Sequence, residues 1–421
     1  METQNLVLTL MTIMAAQYIE DSNENEGGDI LSSADLIFVN AVYRHGAKSP
    51  KVGSFPNDPN NRNFNEIWPN GGKQLTEIGM QMQYELGKFF RKRYSGFLDE
   101  TYRRNEIYVR STDTDRTLMS SQCNLAGLYP PNGKQKWNGL SVSWQPIPVH
   151  TVPLKQDALL KYPLRFGCSL YDKLLEDVRS SAEFTSFVEK HRDFMKEITS
   201  LAGFPPTEND VKLVKRTRNL SSTVHSNLIE GLPLPGWLND KTVEKLKIIS
   251  AFEYQSLFGD IGNEEHREQM AKVNGGILLK KIISNLQDKI EGESSYKMIQ
   301  YSGHRKTMTA LSAALGVSND IPVPFASSFM FELYRGKPQS DNAGTHFVRI
   351  LYKNETDSLI PLSVFGSHVM EFNHFVQHAQ PVIPQSSDLV KICRQDPGQK
   401  TNNDVKREYF SFVDFDREHK R

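Results

Sequence analysis

Cysteine is scarce in this chain, which has three among its 421 residues. This excludes a small secreted domain held together mainly by disulfides, because such domains are dense in cysteine. Net charge is also absent, since 50 Lys and Arg residues balance 50 Asp and Glu residues. No global field therefore attracts nucleic acid or an acidic membrane, and no basic tract with interleaved aromatics predicts nucleic-acid binding.

Long apolar runs are missing as well. Residues 6–16 are apolar but too short for a spanning helix, and they have the length of the apolar core of a signal peptide. Glu2 precedes them without any Lys or Arg, and no clean small-residue cleavage site follows. No other run approaches membrane length, so we predict no membrane span in the mature chain.

The chain does contain a cluster of basic residues and a histidine directly behind a short apolar strand. Residues 36–39 are apolar, and Arg44, His45, Gly46 and Lys48 follow shortly after. Ligand sites of open α/β sheets lie just beyond the carboxyl ends of strands. An imidazole nitrogen is one of the few side-chain groups that can accept a phosphoryl group.

The same arrangement recurs twice. Residues 106–109 form a predicted strand that ends at Arg110, and residues 297–301 form another that leads into His304 and Arg305. Each junction enters a predicted helix, and helix N-termini favour anions. We therefore expect six side chains to converge on one phosphate: Arg44, His45, Lys48, Arg110, His304 and Arg305.

These motifs resemble the histidine acid phosphatases of the prostatic and lysosomal branch, whose signature reads Arg-His-Gly-x-Arg-x-Pro. Residues 74–76, 91–98, 108–113, 124–131, 144–153 and 381–385 are also similar to that branch. The resemblance extends over roughly residues 36–393, and so many matches carry a low risk of coincidence.

The resemblance implies a role for each candidate residue and no cofactor. His45 matches the nucleophile, which forms a phosphohistidine, and His304 matches the second histidine at the phosphate. Arg44 and Arg110 match arginines that bind phosphate oxygens, which their planar fork suits. Lys48 stands where the family has an arginine, so the charge is kept and the fork is lost.

Arg305 is the main departure from the family. The resemblance implies an aspartate there, which protonates the leaving alcohol, and an arginine cannot give up a proton. Such donation typically contributes ~10²–10⁴-fold to the rate. Asp58, Glu66 and Asp113 are candidate substitutes, although nothing in the sequence places them.

Three functions remain open at this point. The first is an acid phosphatase with a phosphohistidine intermediate and reduced activity. The second is a catalytically weak or inactive relative that binds phosphate or phosphoesters, favoured by Arg305. The third, phosphoryl transfer between small molecules, has no specific support. The expected partners are small-molecule phosphomonoesters or phosphopeptides, with a homodimer implied by the resemblance alone.

The predicted architecture is α/β, with a three-layer phosphoglycerate-mutase-like domain, a mainly parallel central sheet and a smaller helical insertion domain. Residues 1–34 are interpreted as a signal-like segment and polar lead-in. Residues 35–170 and 276–395 are assigned to the catalytic domain, 171–275 to the insertion and 396–421 to a charged tail. Periodicity predicts helices over residues 76–93, 184–201 and 241–257, whereas residues 55–68 show none and are interpreted as a loop.

The resemblance also bears on covalent features and location. It implies a disulfide between Cys168 and Cys393, and it leaves Cys123 as a free core thiol. Sequons at Asn219 and Asn354 agree with a secreted or lysosomal, luminal protein whose signal is cleaved.

One further histidine cluster has metal-like spacing: His368, Glu371, His374 and His378. The intervening apolar residues explain this segment as an amphipathic helix, so we predict no metal site there.

Overall fold

Strand β1 (Ala34–Arg44) is the central strand of the sheet, and the computed structural model describes residues 30–137, 143–161, 168–259, 261–319, 321–354, 358–385 and 392–393. The next elements are α1 (Phe64–Ile67), α2 (Glu77–Arg93), β2 (Ile107–Ser111) and α3 (Asp115–Leu128). Short 3₁₀ turns occupy Pro59–Asn63 and Gly133–Gln135.

A helical region follows, with α4 (Ser169–Ser180), α5 (Ala182–Leu201), α6 (Asp210–Ile229), α7 (Asp240–Phe258) and α8 (Glu264–Lys272). The chain then returns to the sheet through α9 (Gly275–Ile290), β3 (Met298–Gly303) and α10 (Arg305–Leu315). The last elements are β4 (Ser328–Gly336), β5 (His346–Lys353), β6 (Leu359–Pro361), β7 (Val369–Glu371) and α11 (Phe372–Ala379).

The strand order of the sheet is β2-β3-β1-β4-β5-β6, with β7 also paired to β5. Pairing is parallel between β1 and β3 and between β2 and β3, which is the half that carries all three predicted strand ends. From β4 onward the pairing is antiparallel. Only residues 337–345 connect β4 to β5, too few for the helical crossover that a parallel pair needs. The α/β prediction is confirmed.

Helices cover both faces of the sheet, as the alternation of side chains along β1 requires. Phe38 and Val42 pack in one hydrophobic cluster with residues of α9 and α10. Val39 and Tyr43 point to the other face and pack with residues of α2 and α3. The molecule therefore has three layers, with β1 buried between two sets of helices.

Helix α2 forms where predicted, but its buried face differs from the one the apolar residues suggest. Thr76 caps the helix, since its Oγ1 accepts the Gly79 amide at 3.1 Å. Ile78, one of the apolar residues at helical spacing, is exposed. The reason is the close approach of α3, where a Cβ on Gly87 would lie 1.9 Å from the Asn124 carbonyl oxygen. Small residues thus define the contact face.

The helical region has hydrophobic clusters of its own. One joins α5 to α6 and α7 through residues such as Val188, Leu213 and Ile249. The helices predicted over residues 184–201 and 241–257 are confirmed as α5 and α7. The division of the chain at residues 171 and 275 stays a prediction.

The segment predicted as a loop, residues 55–68, contains a 3₁₀ turn and the short helix α1. The prediction was wrong there because Asp58 caps the turn, accepting the Asn60 amide at 3.0 Å, which hydrophobic periodicity does not reveal.

Cys168 and Cys393 form a disulfide across 225 positions of the sequence, and Cys123 is free and half-buried. Among the described residues, no helix is long and apolar enough to cross a membrane. Residues 1–29 and 394–421 lie outside the described part of the chain, and with them most of the signal-like segment and the whole charged tail.

Candidate functional site

Three strand ends meet at one edge of the sheet. In the parallel registers, Arg44 of β1 is opposite Gly303 of β3, and Ser111 of β2 is opposite Ser302. The residues that follow β1 and β3 are His45 and His304, both buried, with ring centroids 5.6 Å apart. The two predicted catalytic histidines thus face a common space.

The backbone around His45 fixes its tautomer. Its Nδ1 lies 2.8 Å from the Gly46 carbonyl oxygen, which can only accept, so Nδ1 carries the proton and Nε2 keeps a lone pair. Gly46 itself touches the start of α2, because a Cβ there would lie 2.1 Å from the Gly79 carbonyl oxygen. Only glycine therefore allows this turn.

His304 is fixed in the opposite way. The Nη2 of Arg116 donates to its Nδ1 at 3.1 Å, which leaves the proton on Nε2, next to the Thr112 Oγ1 at 3.0 Å. Arg116 was not among the predicted site residues. Its signal was its place in the first turn of the helix after β2, close to the position that Arg305 holds after β3.

The other predicted cations lie around the two histidines. Arg44 donates to the Val323 carbonyl oxygen at 2.6 Å and lies 3.7 Å over the ring of Phe325. Lys48 donates to the Ser49 carbonyl oxygen at 3.2 Å. The guanidinium of Arg305 lies 5.3 Å from the ring centroid of Tyr254. We call this group the cationic cage: Arg44, Lys48, Arg116 and Arg305.

Arg110, expected at the phosphate, has a carboxylate partner within the protein. Its Nη2 forms a salt bridge of 3.1 Å with Asp157, a buried carboxylate whose Oδ1 also accepts the amides of Leu159 and Leu160. Within the described part of the chain, the arginine that contacts a histidine of the site is Arg116 and not Arg110.

The cage shifts the pKa values of its members. Burial, followed by the charges of Arg116 and Arg44, lowers the pKa of His45 well below its usual value. Burial and nearby cations, Lys161 and Arg116 first, do the same to the pKa of His304. Burial is also the main reason that the pKa of Lys48 falls to about 7 and the pKa of Arg116 to about 10. The site disfavours positive charge and should favour an anion.

Comparison with known proteins identifies the family. The model of the histidine phosphatase superfamily (branch 2) matches residues 35–353. This chain belongs to that superfamily. It is 39% identical to human lysosomal acid phosphatase over 352 residues, which cover 83% of this chain and 78% of that protein. It is 35% identical to bovine prostatic acid phosphatase over 398 residues, covering 94% and 96%.

Solved structures agree on the fold. Hafnia alvei phytase in complex with tartrate superposes with a TM-score of 0.63 at 17% identity, covering 86% of this chain and 99% of that one. Citrobacter braakii phytase gives a TM-score of 0.60 at 16% identity, covering 85% and 99%. Family and relatives identify this protein as a histidine phosphatase, a hydrolase.

Of the three carboxylates considered as substitute acids, one is held by hydrogen bonds and two lie at the surface. Asp58 is buried, and its oxygens accept from Asn60 and from Asn227 at 2.8 Å each. Glu66 and Asp113 are exposed.

One member of the histidine cluster near the C-terminus packs on an aromatic ring. The ring of His378 stacks on Phe365, with centroids 5.8 Å apart. Among the described residues, no group of three or more His, Cys, Asp and Glu side chains could hold a metal ion.

Proposed function

We propose that this chain is an acid phosphatase that hydrolyses phosphate monoesters through a phosphohistidine on His45. The observation that carries the proposal is the bond between the His45 Nδ1 and the Gly46 carbonyl oxygen inside the cationic cage. It reserves the lone pair of Nε2 for attack on phosphorus, while Arg44, Lys48 and Arg116 offset the charge of the phosphate.

The reaction has two halves. In the first, the His45 Nε2 bonds to phosphorus, the bond to the ester oxygen breaks, and that oxygen takes up a proton. In the second, water attacks phosphorus, the nitrogen–phosphorus bond breaks and phosphate leaves. His304 is proposed to contact the same phosphate, because its ring lies 5.6 Å from that of His45.

The proposed substrates and location of the enzyme rest on its relatives. Proteins named lysosomal and prostatic acid phosphatase support small-molecule phosphomonoesters or phosphopeptides as substrates, and a lysosomal or secreted location. We also propose that residues 1–34 contain a signal peptide and that the protein forms a homodimer.

Glycosylation is proposed chiefly at Asn354, which directly follows β5. Asn219 is a less suitable acceptor. It lies half-buried within α6, and Ser221 of its sequon is buried.

A second candidate function is phosphate binding without efficient turnover. Arg305 favours it, because an additional buried cation holds phosphate and cannot protonate a leaving alcohol. On this alternative, phosphate binds well, yet neither aryl nor alkyl esters are hydrolysed.

The test is hydrolysis of p-nitrophenyl phosphate beside an alkyl phosphate in mildly acidic buffer. His45→Ala should reduce kcat/KM by on the order of 10⁴-fold or more. The matched control is His374→Ala, an exposed histidine of α11 that should leave both rates unchanged. No hydrolysis by the wild type would favour the binding protein, and full activity of His45→Ala would overturn the phosphohistidine.

A further inference from the structure

The leaving alcohol needs a proton, and the family position for its donor holds Arg305 instead of a carboxylic acid. Arg305, directly after His304, cannot supply a proton, and its guanidinium lies against Tyr254. The oxygens of Asp58 are held by asparagines. Other titratable side chains near the cationic cage belong to the helical region.

His225, on α6 of the helical region, is such a side chain. Its ring stacks on Phe325 with centroids 5.2 Å apart and an angle of 13° between the planes. The same phenylalanine lies 5.7 Å from the ring of His45 and carries the guanidinium of Arg44. One aromatic ring thus neighbours both His225 and the proposed nucleophile.

The spacing of the two imidazoles suits a phosphate ester between them. Through Phe325, the ring centroids of His45 and His225 can be no more than 10.9 Å apart, the sum of the two distances. A phosphoryl group between two nitrogens spans roughly 7–8 Å, because the attacking contact of about 3–3.5 Å and the hydrogen bond of about 2.6–3.2 Å to the leaving oxygen are joined by the length of the phosphorus–oxygen bond. This upper bound exceeds the span of the ester, so it is compatible with both contacts.

The position of His225 is held from both sides along α6. Two residues before it, Thr223 shares a hydrogen bond of 2.7 Å with the Ser54 hydroxyl. Two residues after it, Asn227 donates to Asp58 at 2.8 Å. Among the described residues, neither ring nitrogen of His225 has a hydrogen-bond partner, so both are available to a substrate.

The charges around His225 make its protonation depend on the ligand. Burial, then Arg305 and Arg44, lower its pKa well below the usual value, so the empty site disfavours the protonated ring. A bound phosphate offsets these cations and should raise that pKa. The charged and titratable groups of the elements around it are Arg44, His45, Lys48, Arg218, Lys247, Glu253, Tyr254 and Arg305.

We propose that His225 protonates the departing alcohol oxygen, taking the role that the family aspartate has at the position of Arg305. As the His45 nitrogen bonds to phosphorus, the ester bond breaks and the oxygen takes the proton of His225. Neutral His225 then accepts a proton from the attacking water, and phosphate leaves. This inference rests on the proposed function and adds the identity of its acid.

The test is the dependence of kcat/KM on the leaving group, because that ratio reports the step in which the ester bond breaks. In His225→Gln, kcat/KM for an alkyl phosphate should fall by about 10²–10⁴-fold, and that for p-nitrophenyl phosphate by far less, since its leaving group needs little protonation. In the wild type, the ratio of alkyl to aryl kcat/KM should rise as the pH falls, whereas in the variant it should stay flat.

The matched control is His191→Gln, because His191 on α5 also stacks on a phenylalanine, Phe187, with centroids 4.5 Å apart. It should leave both substrates unchanged. Tyr254→Phe tests the nearest rival donor and should affect both substrates alike. Arg305→Asp, introduced into His225→Gln, should restore alkyl turnover by returning a carboxylic acid.

An equal fall for both substrates in His225→Gln, with an unchanged ratio at every pH, would overturn the proposal. So would a selective loss of alkyl turnover in Tyr254→Phe. If His225→Gln folds poorly, His225→Asn gives the same comparison, with the phosphate-induced rise in Tm reporting an intact site. Retention of activity in His45→Ala would instead contradict the proposed function itself.

Discussion

Two groups of buried charges lie on either side of β1, and they differ in whether the protein itself supplies partners of opposite charge. On the β4 side, the carboxylate of Glu332 is fully buried and contacts Arg93 at 2.7 Å, Tyr94 at 2.9 Å and Tyr334 at 2.8 Å. At the β3 side lies the cationic cage. In the described chain, no carboxylate forms a salt bridge with its members Lys48, Arg116 and Arg305.

The charge of Glu332 is structural, whereas the charges of the cage are functional. A buried ion costs several kcal/mol unless it is paired and hydrogen-bonded. Glu332 has both an ion-pair partner and hydrogen-bond donors within its own chain, so its network is complete without a ligand. The members of the cage instead contact a carbonyl, an imidazole and a phenol, none of which is a carboxylate. The cage becomes complete when an anion binds.

The largest effect is expected from removing the cation of the complete network. Arg93→Met leaves the Glu332 carboxylate buried without a positive partner, so the free energy of unfolding should fall by about 3–5 kcal/mol. Urea denaturation measures it. The neighbouring exposed Lys92→Met should change stability by no more than about 0.5 kcal/mol. A loss below about 1 kcal/mol in Arg93→Met would show that the network does not depend on its ion pair.

A smaller effect, on activity, is expected in the cage. Arg116→Met removes a donor aimed at His304 and the phosphate, so kcat/KM for p-nitrophenyl phosphate should fall by about 10²–10³-fold. Arg110→Met is the matched variant, and it should lower stability rather than kcat/KM, because it leaves Asp157 unpaired. Similar losses of kcat/KM in both variants would indicate that Arg110 also binds the phosphate.

The third effect is a dependence of stability on pH that phosphate removes. His45 and His304 have pKa values in the folded protein well below the ordinary 6.5, so the unfolded chain binds more protons between those values. Stability should therefore fall as the pH drops below about 6.5. Phosphate at a fixed concentration, equal to 100 times its Kd at pH 5, should add about 2.7 kcal/mol there and less at pH 7.5, where the less protonated site binds it more weakly. Thermal melts from pH 7.5 to 5 with and without phosphate check this, and parallel curves would contradict it.

The smallest effect concerns Lys48. Its pKa of about 7 lies below the ordinary 10.5, so its charged form is disfavoured in the folded protein, and below pH 7 that cost is fully present. At pH 6, Lys48→Met should raise the free energy of unfolding by about 1 kcal/mol, since Lys48 is partly exposed. The same variant should show a smaller gain with phosphate. The control Lys51→Met, at an exposed lysine, should change neither the free energy of unfolding nor the gain with phosphate.

The sequence predicted the parts of the site whose residues directly follow a strand. Residues 36–39 indicated a strand, and whatever follows a buried parallel strand lies at a known edge of the sheet, so His45 and His304 could be expected to meet. Arg110 was harder to place. Side chains alternate between the faces of β2, and the sequence does not say which face holds Asp157.

The residues that sequence reasoning missed reach the site from helices. Arg116 depends on where the first turn of α3 begins, and His225 on how a separate helical region packs against Phe325. The exposed Ile78 shows a similar limit, because apolar periodicity does not register a helix face made of glycines. Each of these depends on contacts between distant segments.

The central place of β1 has a consequence for how the chain is made. Its parallel neighbour begins at Met298, which follows Arg44 by 254 residues. At a synthesis rate of about 5–20 residues per second, the ribosome takes roughly 13–50 s to produce that neighbour. During that interval the most apolar strand of the sheet has neither edge paired, so a nascent-chain chaperone would find its clearest target at the N-terminal end of this enzyme.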